Sequence, residues 1–186
     1  MRINLPNSNT FSKIFNKTIN QEINEEVNGI ATDSREIQKG DLYIAIKGEK
    51  VDGHSFLNQV FENGALAALV SDSNDQISGT QIKVSDTVKS IGKIATEWRK
   101  QFEIPIIGIT GTNGKTSTKE LLRHILSSKF DIHATEGNYN TSIGLPLTLL
   151  QLTGFHGASI LEMGANQNGD IELLTNIAKP SYGLIT

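Results

Sequence analysis

A glycine-rich turn that ends in a lysine is the strongest chemical signal in the sequence. The run Ile106-Ile-Gly-Ile-Thr-Gly-Thr-Asn-Gly-Lys-Thr-Ser-Thr118 has the pattern of an apolar strand, a Gly/Asn turn and the start of a helix. Such a turn directs backbone N–H groups and the positive end of a helix dipole at one point, where a phosphate can bind. The strict phosphate-loop pattern requires a glycine where this chain has Ile109. We predict a nucleotide phosphate site, and the alternative is an ordinary strand-to-helix turn.

The residues of this turn have distinct expected roles. Lys115 is the predicted catalytic residue, because its ammonium group can neutralise the β and γ phosphates of a nucleotide. A cation in the first turn of a helix opposes the helix dipole, and a bound anion would explain its position. The Thr116 hydroxyl is a predicted Mg²⁺ ligand. The predicted ATP-binding set is Gly111, Thr112, Asn113, Gly114, Lys115, Thr116 and Ser117.

Glu162 is the second candidate for chemistry. It ends the apolar run Ile160-Leu161, at the carboxyl end of a predicted strand. Ligands of open α/β sheets bind at that edge, and Mg²⁺ prefers oxygen ligands such as carboxylates. We therefore predict that Glu162 and Thr116 hold a magnesium ion. The alternative is a carboxylate at the end of a strand that faces solvent.

Two further groups of polar residues are candidates for substrate binding. One group follows a strand at the same predicted edge and consists of Asn138, Asn140 and Thr141. The other lies in the first half of the chain, where an Arg and hydroxyl pair suits a phosphate or uracil contact; it consists of Ser34, Arg35, Asp52 and His54. Turn and helix-capping roles are the alternative for all of them.

The alternation of apolar runs predicts an α/β protein with two domains. Strands around a short helix indicate a small N-terminal α/β substrate domain over residues 1–84. Residues 85–186 begin with a long helix and continue as β-loop-α-β-α-β-α-β, which is typical of a parallel sheet with helices on both faces. In the helix after the phosphate loop we expect four apolar side chains to face inward, namely Leu121, Leu122, Ile125 and Leu126.

Composition excludes several classes of function. A net charge of −3 without a basic block disfavours binding of nucleic acid. The chain has no cysteine, so disulfides, thiolate nucleophiles and zinc–thiolate sites are absent. No apolar run is long enough to insert into a membrane, and we expect a cytoplasmic monomer. The chain stops at Thr186 on the last residue of a predicted strand, so we expect a fragment whose ATP-binding domain is truncated at its C-terminal end.

Several motifs together resemble the Mur ligases of peptidoglycan synthesis. They are Ala31-Thr-Asp-Ser-Arg-Glu and Val51-Asp-Gly-His54, then Thr110-Gly-Thr-Asn-Gly-Lys-Thr-Ser-Thr-Lys-Glu120, Gly137-Asn-Tyr-Asn140, Ile143-Gly-Leu-Pro146 and Glu162-Met-Gly-Ala-Asn166. The resemblance covers nearly all of the chain beyond about residue 28, and the family's own phosphate loop also lacks the first glycine.

The resemblance implies a function in cell wall biogenesis and a P-loop parallel-sheet fold for the ATP-binding domain. The first domain would hold the uridine diphosphate end of UDP-N-acetylmuramoyl tripeptide, and the second would bind ATP and Mg²⁺. An acyl phosphate of the tripeptide would then react with the amine of D-alanyl-D-alanine. The family's carbamylated lysine and C-terminal domain are not in this sequence, so we expect this chain to be inactive alone as an amide-forming ligase.

Two other functions remain open from the residues. One is another P-loop enzyme, such as a small-molecule kinase, although no arginine-rich lid is evident. The other is a non-catalytic module that binds a UDP-sugar or a nucleotide.

Overall fold

A computed structural model describes residues 1–186, and it divides the chain into two compact units. The first unit is Met1–Ser90 and the second is Ile91–Thr186. The division falls inside one helix, α3, which runs from Thr87 to Arg99. Among the described helices, none is both long and apolar enough to cross a membrane.

The first unit contains a five-stranded sheet whose strands lie in sequence order. The strands are β1 (Arg2–Asn4), β2 (Gly29–Ala31), β3 (Asp41–Ile44), β4 (Ala67–Val70) and β5 (Thr80–Lys83). Strands β2 to β5 pair in parallel, whereas β1 pairs with β2 in the antiparallel direction. Strand β1 was not predicted, because its three residues lie in a polar, Asn-rich stretch.

Helices or 3₁₀ turns connect the first four of these strands. Helix α1 (Ser8–Ile19) begins after Asn7, whose side chain accepts a hydrogen bond from the Thr10 N–H, and it buries Phe11 and Phe15. Two 3₁₀ turns span Ser34–Glu36 and Gly53–Phe56, and α2 (Leu57–Glu62) follows the second turn directly. One apolar core includes side chains from each of β2, β3, β4 and α2, namely Ala31, Tyr43, Leu57, Val60, Ala68 and Val70.

A buried ion pair ties the first residues of the chain to this sheet. Asp41 is fully buried, and its two carboxylate oxygens accept hydrogen bonds from Arg2 Nε at 2.6 Å and Arg2 Nη2 at 2.9 Å. Asp41 Oδ2 also accepts the backbone N–H of Gln38. Because a buried carboxylate is stable only when it is paired, Asp41 depends on Arg2 for compensation.

Replacing Arg2 by methionine should strongly destabilise the first unit. The change leaves the charge of Asp41 buried and uncompensated, so we expect a loss of about 3–5 kcal/mol in the free energy of unfolding. Urea denaturation followed by far-UV circular dichroism measures this loss. Lys100→Met is the matched control, since it breaks the exposed Lys100–Glu97 pair and should cost less than ~1 kcal/mol. Equal losses in the two variants would contradict the assignment.

The second unit contains a four-stranded parallel sheet with the order β7-β8-β6-β9. Its strands are β6 (Ile106–Thr110), β7 (Ile132–Ala134), β8 (Ala158–Glu162) and β9 (Tyr182–Ile185). Its helices after α3 are α4 (Lys115–Leu126), α5 (Gly144–Leu149) and α6 (Asp170–Ala178). The prediction of an α/β fold with a parallel sheet is confirmed.

The strand order determines where a ligand can bind in the second unit. The chain leaves β6 through α4 toward one side of the sheet, and it later crosses from β8 through α6 to the other side of β6. Right-handed crossovers in opposite directions place α4 and α6 on opposite faces. A crevice therefore opens at the carboxyl ends of β6 and β8, where open α/β sheets bind their ligands.

The prediction for the buried face of α4 is wrong in part. Leu121 is 62% exposed and Ile125 is 56% exposed, whereas Lys119 is only 2% exposed. Helical spacing explains the difference, because positions 119, 122 and 126 lie on one face, and positions 121 and 125 lie on another. A lysine, which was not among the residues predicted to face inward, therefore lies on the buried face of α4.

His133 is a buried member of the core of the second unit. Its Nδ1 lies 2.8 Å from Ser159 Oγ, and its Nε2 lies 3.0 Å from the carbonyl oxygen of Thr148. Since Nε2–H must donate to that carbonyl, Nδ1 accepts from the serine hydroxyl. Burial, reinforced by the neighbouring His156, lowers the pKa of His133 to about 4.

The pKa of His133 predicts a loss of stability in mild acid. Between the unfolded pKa of 6.5 and the folded value of about 4, the unfolded chain binds more protons, so stability falls as the pH falls. The loss across this window is about 3 kcal/mol at most. Denaturation at several pH values should show a flatter profile for His133→Gln, whereas the exposed His124→Gln should follow the parent. A parental slope in His133→Gln would contradict the assignment.

Candidate functional site

The predicted phosphate loop lies between β6 and α4, at the carboxyl edge of the sheet. The loop runs from Gly111 to Gly114, and Lys115 is the first residue of the helix. Gly111 has a φ of 140° and Gly114 a φ of 79°. These backbone conformations strain any residue that carries a Cβ atom, so glycine is required at both positions. Within the loop, the Thr112 N–H donates to the carbonyl oxygen of Thr186 at 3.2 Å.

Lys115 lies over this loop. Its Nζ donates a hydrogen bond to the carbonyl oxygen of Gly111 at 2.7 Å. The positive charge is therefore held at the N-terminus of α4, where the helix dipole also attracts anions. This arrangement is suited to binding a polyphosphate.

Glu162 is buried at the end of β8 and contacts the start of α4. The residue is 4% exposed. Its Oε2 accepts a hydrogen bond from Thr116 Oγ1 at 2.9 Å, and its Oε1 accepts one from Asn140 Nδ2 at 2.8 Å. The alternative of a solvent-facing carboxylate at the end of the strand is therefore wrong.

The oxygen atoms of Thr116 and Glu162 suit a magnesium ion. Mg²⁺ binds oxygen ligands in an octahedron at about 2.0–2.1 Å, so neighbouring ligands lie about 2.9 Å apart. Thr116 Oγ1 and Glu162 Oε2 lie 2.9 Å apart. Thr116 and Glu162 would hold the ion through these two oxygens.

A cavity of about 560 Å³ opens at the phosphate loop, and neither Thr116 nor Glu162 lines it. Three loops at the carboxyl edge line it: the phosphate loop with Thr110, Gly111, Thr112 and Lys115, the loop after β7 with Asn140 and Thr141, and the loop after β8 with Gly164, Ala165 and Asn166. Its volume falls within the range of small-molecule sites.

The structure brings together most of the site residues predicted in the second unit. Gly111, Thr112, Asn140 and Thr141 line the same cavity as Lys115. The predicted residues that do not line it are Asn113, Gly114, Thr116, Ser117, Asn138 and Glu162. Of these, Glu162 bonds to Thr116 and to the cavity residue Asn140. Two residues that contact this network were not predicted from sequence. They are Lys119 and Thr135, and neither had a signal, because a lysine on an amphipathic helix is normally solvated.

Gly164 explains how the loop after β7 reaches Glu162. Its N–H donates to the carbonyl oxygen of Asn140 at 2.8 Å. A Cβ at Gly164 would lie 3.0 Å from Cγ and Oδ1 of Asn140. The absence of a side chain at this position therefore lets Asn140 approach closely enough to bind the carboxylate of Glu162.

Two of the predicted substrate-binding residues of the first unit share a second cavity. The cavity has a volume of about 300 Å³ and includes Asp52, His54 and Ser71 in its lining. His54 Nδ1 lies 2.6 Å from Asp52 Oδ1, and His54 Nε2 accepts the backbone N–H of Ser71 at 2.9 Å. Hydrogen bonds from the backbone N–H and ring of His54 hold the pKa of Asp52 below its usual range. His54 thereby joins the loop after β3 to the end of β4.

The other two, Ser34 and Arg35, do not line that cavity. Ser34 is buried, and the Arg35 side chain is 81% exposed and bonds to Asp33 through Nε at 2.9 Å and Nη2 at 2.6 Å. The arginine side chain, together with its backbone N–H, lowers the pKa of Asp33 well below the usual range. Asp33 also caps the 3₁₀ turn by accepting the Arg35 N–H. The capping alternative therefore accounts for Asp33, and the ligand role of Ser34 and Arg35 stays a prediction.

A parallel α/β sheet with a phosphate loop and a buried carboxylate beside it defines a nucleotide-binding fold of the P-loop class. Two family models match the chain: "Mur ligase family, catalytic domain" over residues 26–101, and "Mur ligase middle domain" over residues 109–186. The chain therefore belongs to the Mur ligase family. The resemblance noted from the sequence motifs is confirmed.

Comparison with individual proteins gives the same family. The UDP-N-acetylmuramoyl-tripeptide–D-alanyl-D-alanine ligase of Synechocystis is 46% identical over 159 residues, which are 84% of this chain and 35% of that protein. A crystal structure of MurF from Acinetobacter baumannii matches with a TM-score of 0.88 and 34% identity, over 94% of this chain and 40% of that chain.

A second structure was solved with a nucleotide. MurF ligase from Thermotoga maritima, in complex with ADP, matches with a TM-score of 0.75 and 36% identity. The match covers 81% of this chain and 35% of that chain. The chain thus spans well under half the length of the relatives that it matches.

Replacing Glu162 by glutamine should weaken metal binding selectively. The amide keeps the shape but loses the charge that attracts Mg²⁺. We therefore expect the ratio of ADP affinity with Mg²⁺ to ADP affinity without it to be at least ~10-fold smaller than in the parent. Isothermal titration with ADP, with and without Mg²⁺, measures this difference. Glu172→Gln, at an exposed position on α6, removes the same charge elsewhere and should behave as the parent. A full magnesium effect in Glu162→Gln would rule out the ligand role.

Proposed function

We propose that this chain supplies the UDP-substrate-binding part and the phosphate-loop part of an ATP-dependent ligase. The ligase joins D-alanyl-D-alanine to UDP-N-acetylmuramoyl tripeptide, in the cytoplasmic assembly of peptidoglycan precursors. The names of the 35–46% identical relatives support this substrate pair. The observation that carries the proposal is the buried Glu162, which bonds to both Thr116 and Asn140 beside the phosphate loop.

The proposed reaction has two steps. The terminal carboxylate of the tripeptide attacks the γ-phosphorus of ATP, which forms an acyl phosphate and releases ADP. The amine of D-alanyl-D-alanine then attacks the acyl carbon and displaces phosphate, which leaves an amide bond. Catalysis of this kind depends mainly on positioning and on neutralising phosphate charge.

The residues of the second unit have defined tasks in this scheme. Lys115 neutralises charge on the β and γ phosphates, and backbone N–H groups of the phosphate loop orient them. Thr116 and Glu162 would hold Mg²⁺, which would offset the charge of the transferring phosphoryl group. Asn140 keeps the Glu162 carboxylate in one orientation by its hydrogen bond at 2.8 Å.

The first unit binds the UDP end of the muramoyl substrate in this proposal. The candidates are Ser34 and Arg35 at the turn after β2, and Asp52 and His54 at the cavity after β3. Arginine suits a diphosphate because its fork of N–H donors matches two oxygens at once. In the second unit Asn138 and Thr141 are the corresponding candidates for the peptide end. We expect the protein to act as a monomer.

Two substitutions should separate the proposed sites. Lys115→Met should weaken binding of ADP by about 10- to 100-fold and leave the muramoyl tripeptide unaffected, because it removes a charge-assisted contact to phosphate. Arg35→Met should weaken binding of UDP-N-acetylmuramoyl tripeptide by about 10-fold and leave ADP unaffected. Calorimetric titration of the parent and both variants with each ligand provides the measurement.

The same titrations discriminate between the alternatives. Binding of the muramoyl tripeptide without any binding of ADP would favour a non-catalytic module. Transfer of phosphate from ATP to an added hydroxyl compound would favour a small-molecule kinase. The absence of binding to both ligands would refute the proposed function of this chain.

A further inference from the structure

Lys119 is the most unusual residue of the second unit, because a buried lysine is rare unless it is paired. Its side chain is 2% exposed, one helical turn after Lys115. Its Nζ donates a hydrogen bond of 2.6 Å to the carbonyl oxygen of Thr135, and it lies 3.0 Å from Oε1 of Glu120. The proposed ligase reaction gives this residue no task. Because burying a charged group costs free energy, its position requires an explanation.

The bond from Lys119 interrupts the ladder between β7 and β8. The Thr135 N–H donates to the carbonyl oxygen of Ile160 at 3.0 Å, which continues the parallel pairing of the two strands. In a regular parallel ladder the carbonyl oxygen of Thr135 would next accept the N–H of Glu162. That carbonyl instead accepts from Lys119 Nζ.

The Thr135 side chain replaces the missing acceptor. Its hydroxyl Oγ1 accepts the Glu162 N–H at 3.0 Å, and the residue is fully buried. This change of acceptor, from the Thr135 carbonyl to its hydroxyl, occurs at Glu162, the residue that carries the buried carboxylate. After Thr135 the chain leaves the sheet, and five residues later Asn140 bonds to Glu162.

We propose that Lys119 and the Thr135 hydroxyl are positioning residues for Glu162. The lysine holds the Thr135 carbonyl out of the ladder, so that the chain turns away from β8 after Thr135. The chain then comes back toward β8 at Asn140, whose side chain donates to Oε1 of Glu162. The hydroxyl keeps the backbone of Glu162 fixed while this turn is made. Through Thr135, Lys119 therefore connects α4 to the carboxylate of Glu162. Only the effect of this connection on metal binding rests on the proposed function.

The arrangement can be tested first without any ligand. Nuclear magnetic resonance of the 186-residue chain measures proton exchange of the Asn140 side-chain amide and of the Glu162 backbone amide. The Met163 N–H, which donates to the carbonyl oxygen of Ile109, serves as an internal reference for general loosening of the sheet.

Each variant has its own expected signal. Lys119→Met should accelerate exchange of the Asn140 side-chain amide about tenfold relative to the reference, as expected for loss of an ordinary hydrogen bond. Thr135→Val, which keeps the shape but lacks the hydroxyl, should accelerate exchange of the Glu162 amide by a similar factor. Thr135→Ser keeps the hydroxyl, and Lys129→Met removes an exposed lysine; both should match the parent within about twofold.

A second measurement tests the consequence for metal binding. Lys119→Met and Thr135→Val should each lower the ratio of ADP affinity with Mg²⁺ to ADP affinity without it by about tenfold. The ADP affinity without Mg²⁺ should stay within about twofold of the parent. A purely structural role would lower the melting temperature and leave this ratio unchanged.

The outcomes separate the two proposals. Unchanged exchange of both amides in Lys119→Met and Thr135→Val would overturn the positioning role. If the parent itself shows no magnesium effect on ADP, the metal role of Glu162 fails, and the exchange data still decide the positioning role. If Lys119→Met does not fold, the comparison of Thr135→Val with Thr135→Ser decides it.

Discussion

The buried carboxylate of Glu162 is the constraint on which the second unit depends. A carboxylate removed from water must receive hydrogen bonds or a cation, since the free-energy cost of burying an unpaired charge exceeds the stabilisation from any single contact. Here the donors come from the helix after the phosphate loop and from the loop after β7. Three segments that are distant in sequence are therefore held at one point. The arrangement of oxygen atoms that suits magnesium follows from the hydrogen bonds that the Glu162 carboxylate requires.

Much of this arrangement could be predicted from the sequence, because it depends on local patterns. The phosphate loop has a fixed spacing of glycine, lysine and threonine, and Glu162 ends an apolar run at the carboxyl edge of a strand. Parallel-sheet topology then brings the two together without any knowledge of their contacts. For the same reason, the alternation of strands and helices was sufficient to predict the α/β fold.

The parts that could not be predicted depend on contacts between distant residues. Lys119 lies in a helix whose apolar residues suggested a different buried face, and only the carbonyl of Thr135 makes its burial possible. Strand β1 is three residues long and is held by pairing with β2 and by the Arg2–Asp41 pair. No local sequence pattern predicts the Lys119–Thr135 or the Arg2–Asp41 contact, because each of these residues, taken alone, is an ordinary polar residue.

The order of strands also bears on how the chain acquires its structure during synthesis. In the first unit every strand pairs with its neighbour in sequence, so its contacts close short loops and are expected to form quickly. In the second unit β6 pairs with β8 and β9, as in Ile106 with Ser159 and Ile107 with Tyr182. The phosphate loop therefore remains without its supporting strands until much of the chain has left the ribosome. Slow closure of such loops leaves the apolar strand β6 exposed while the chain folds.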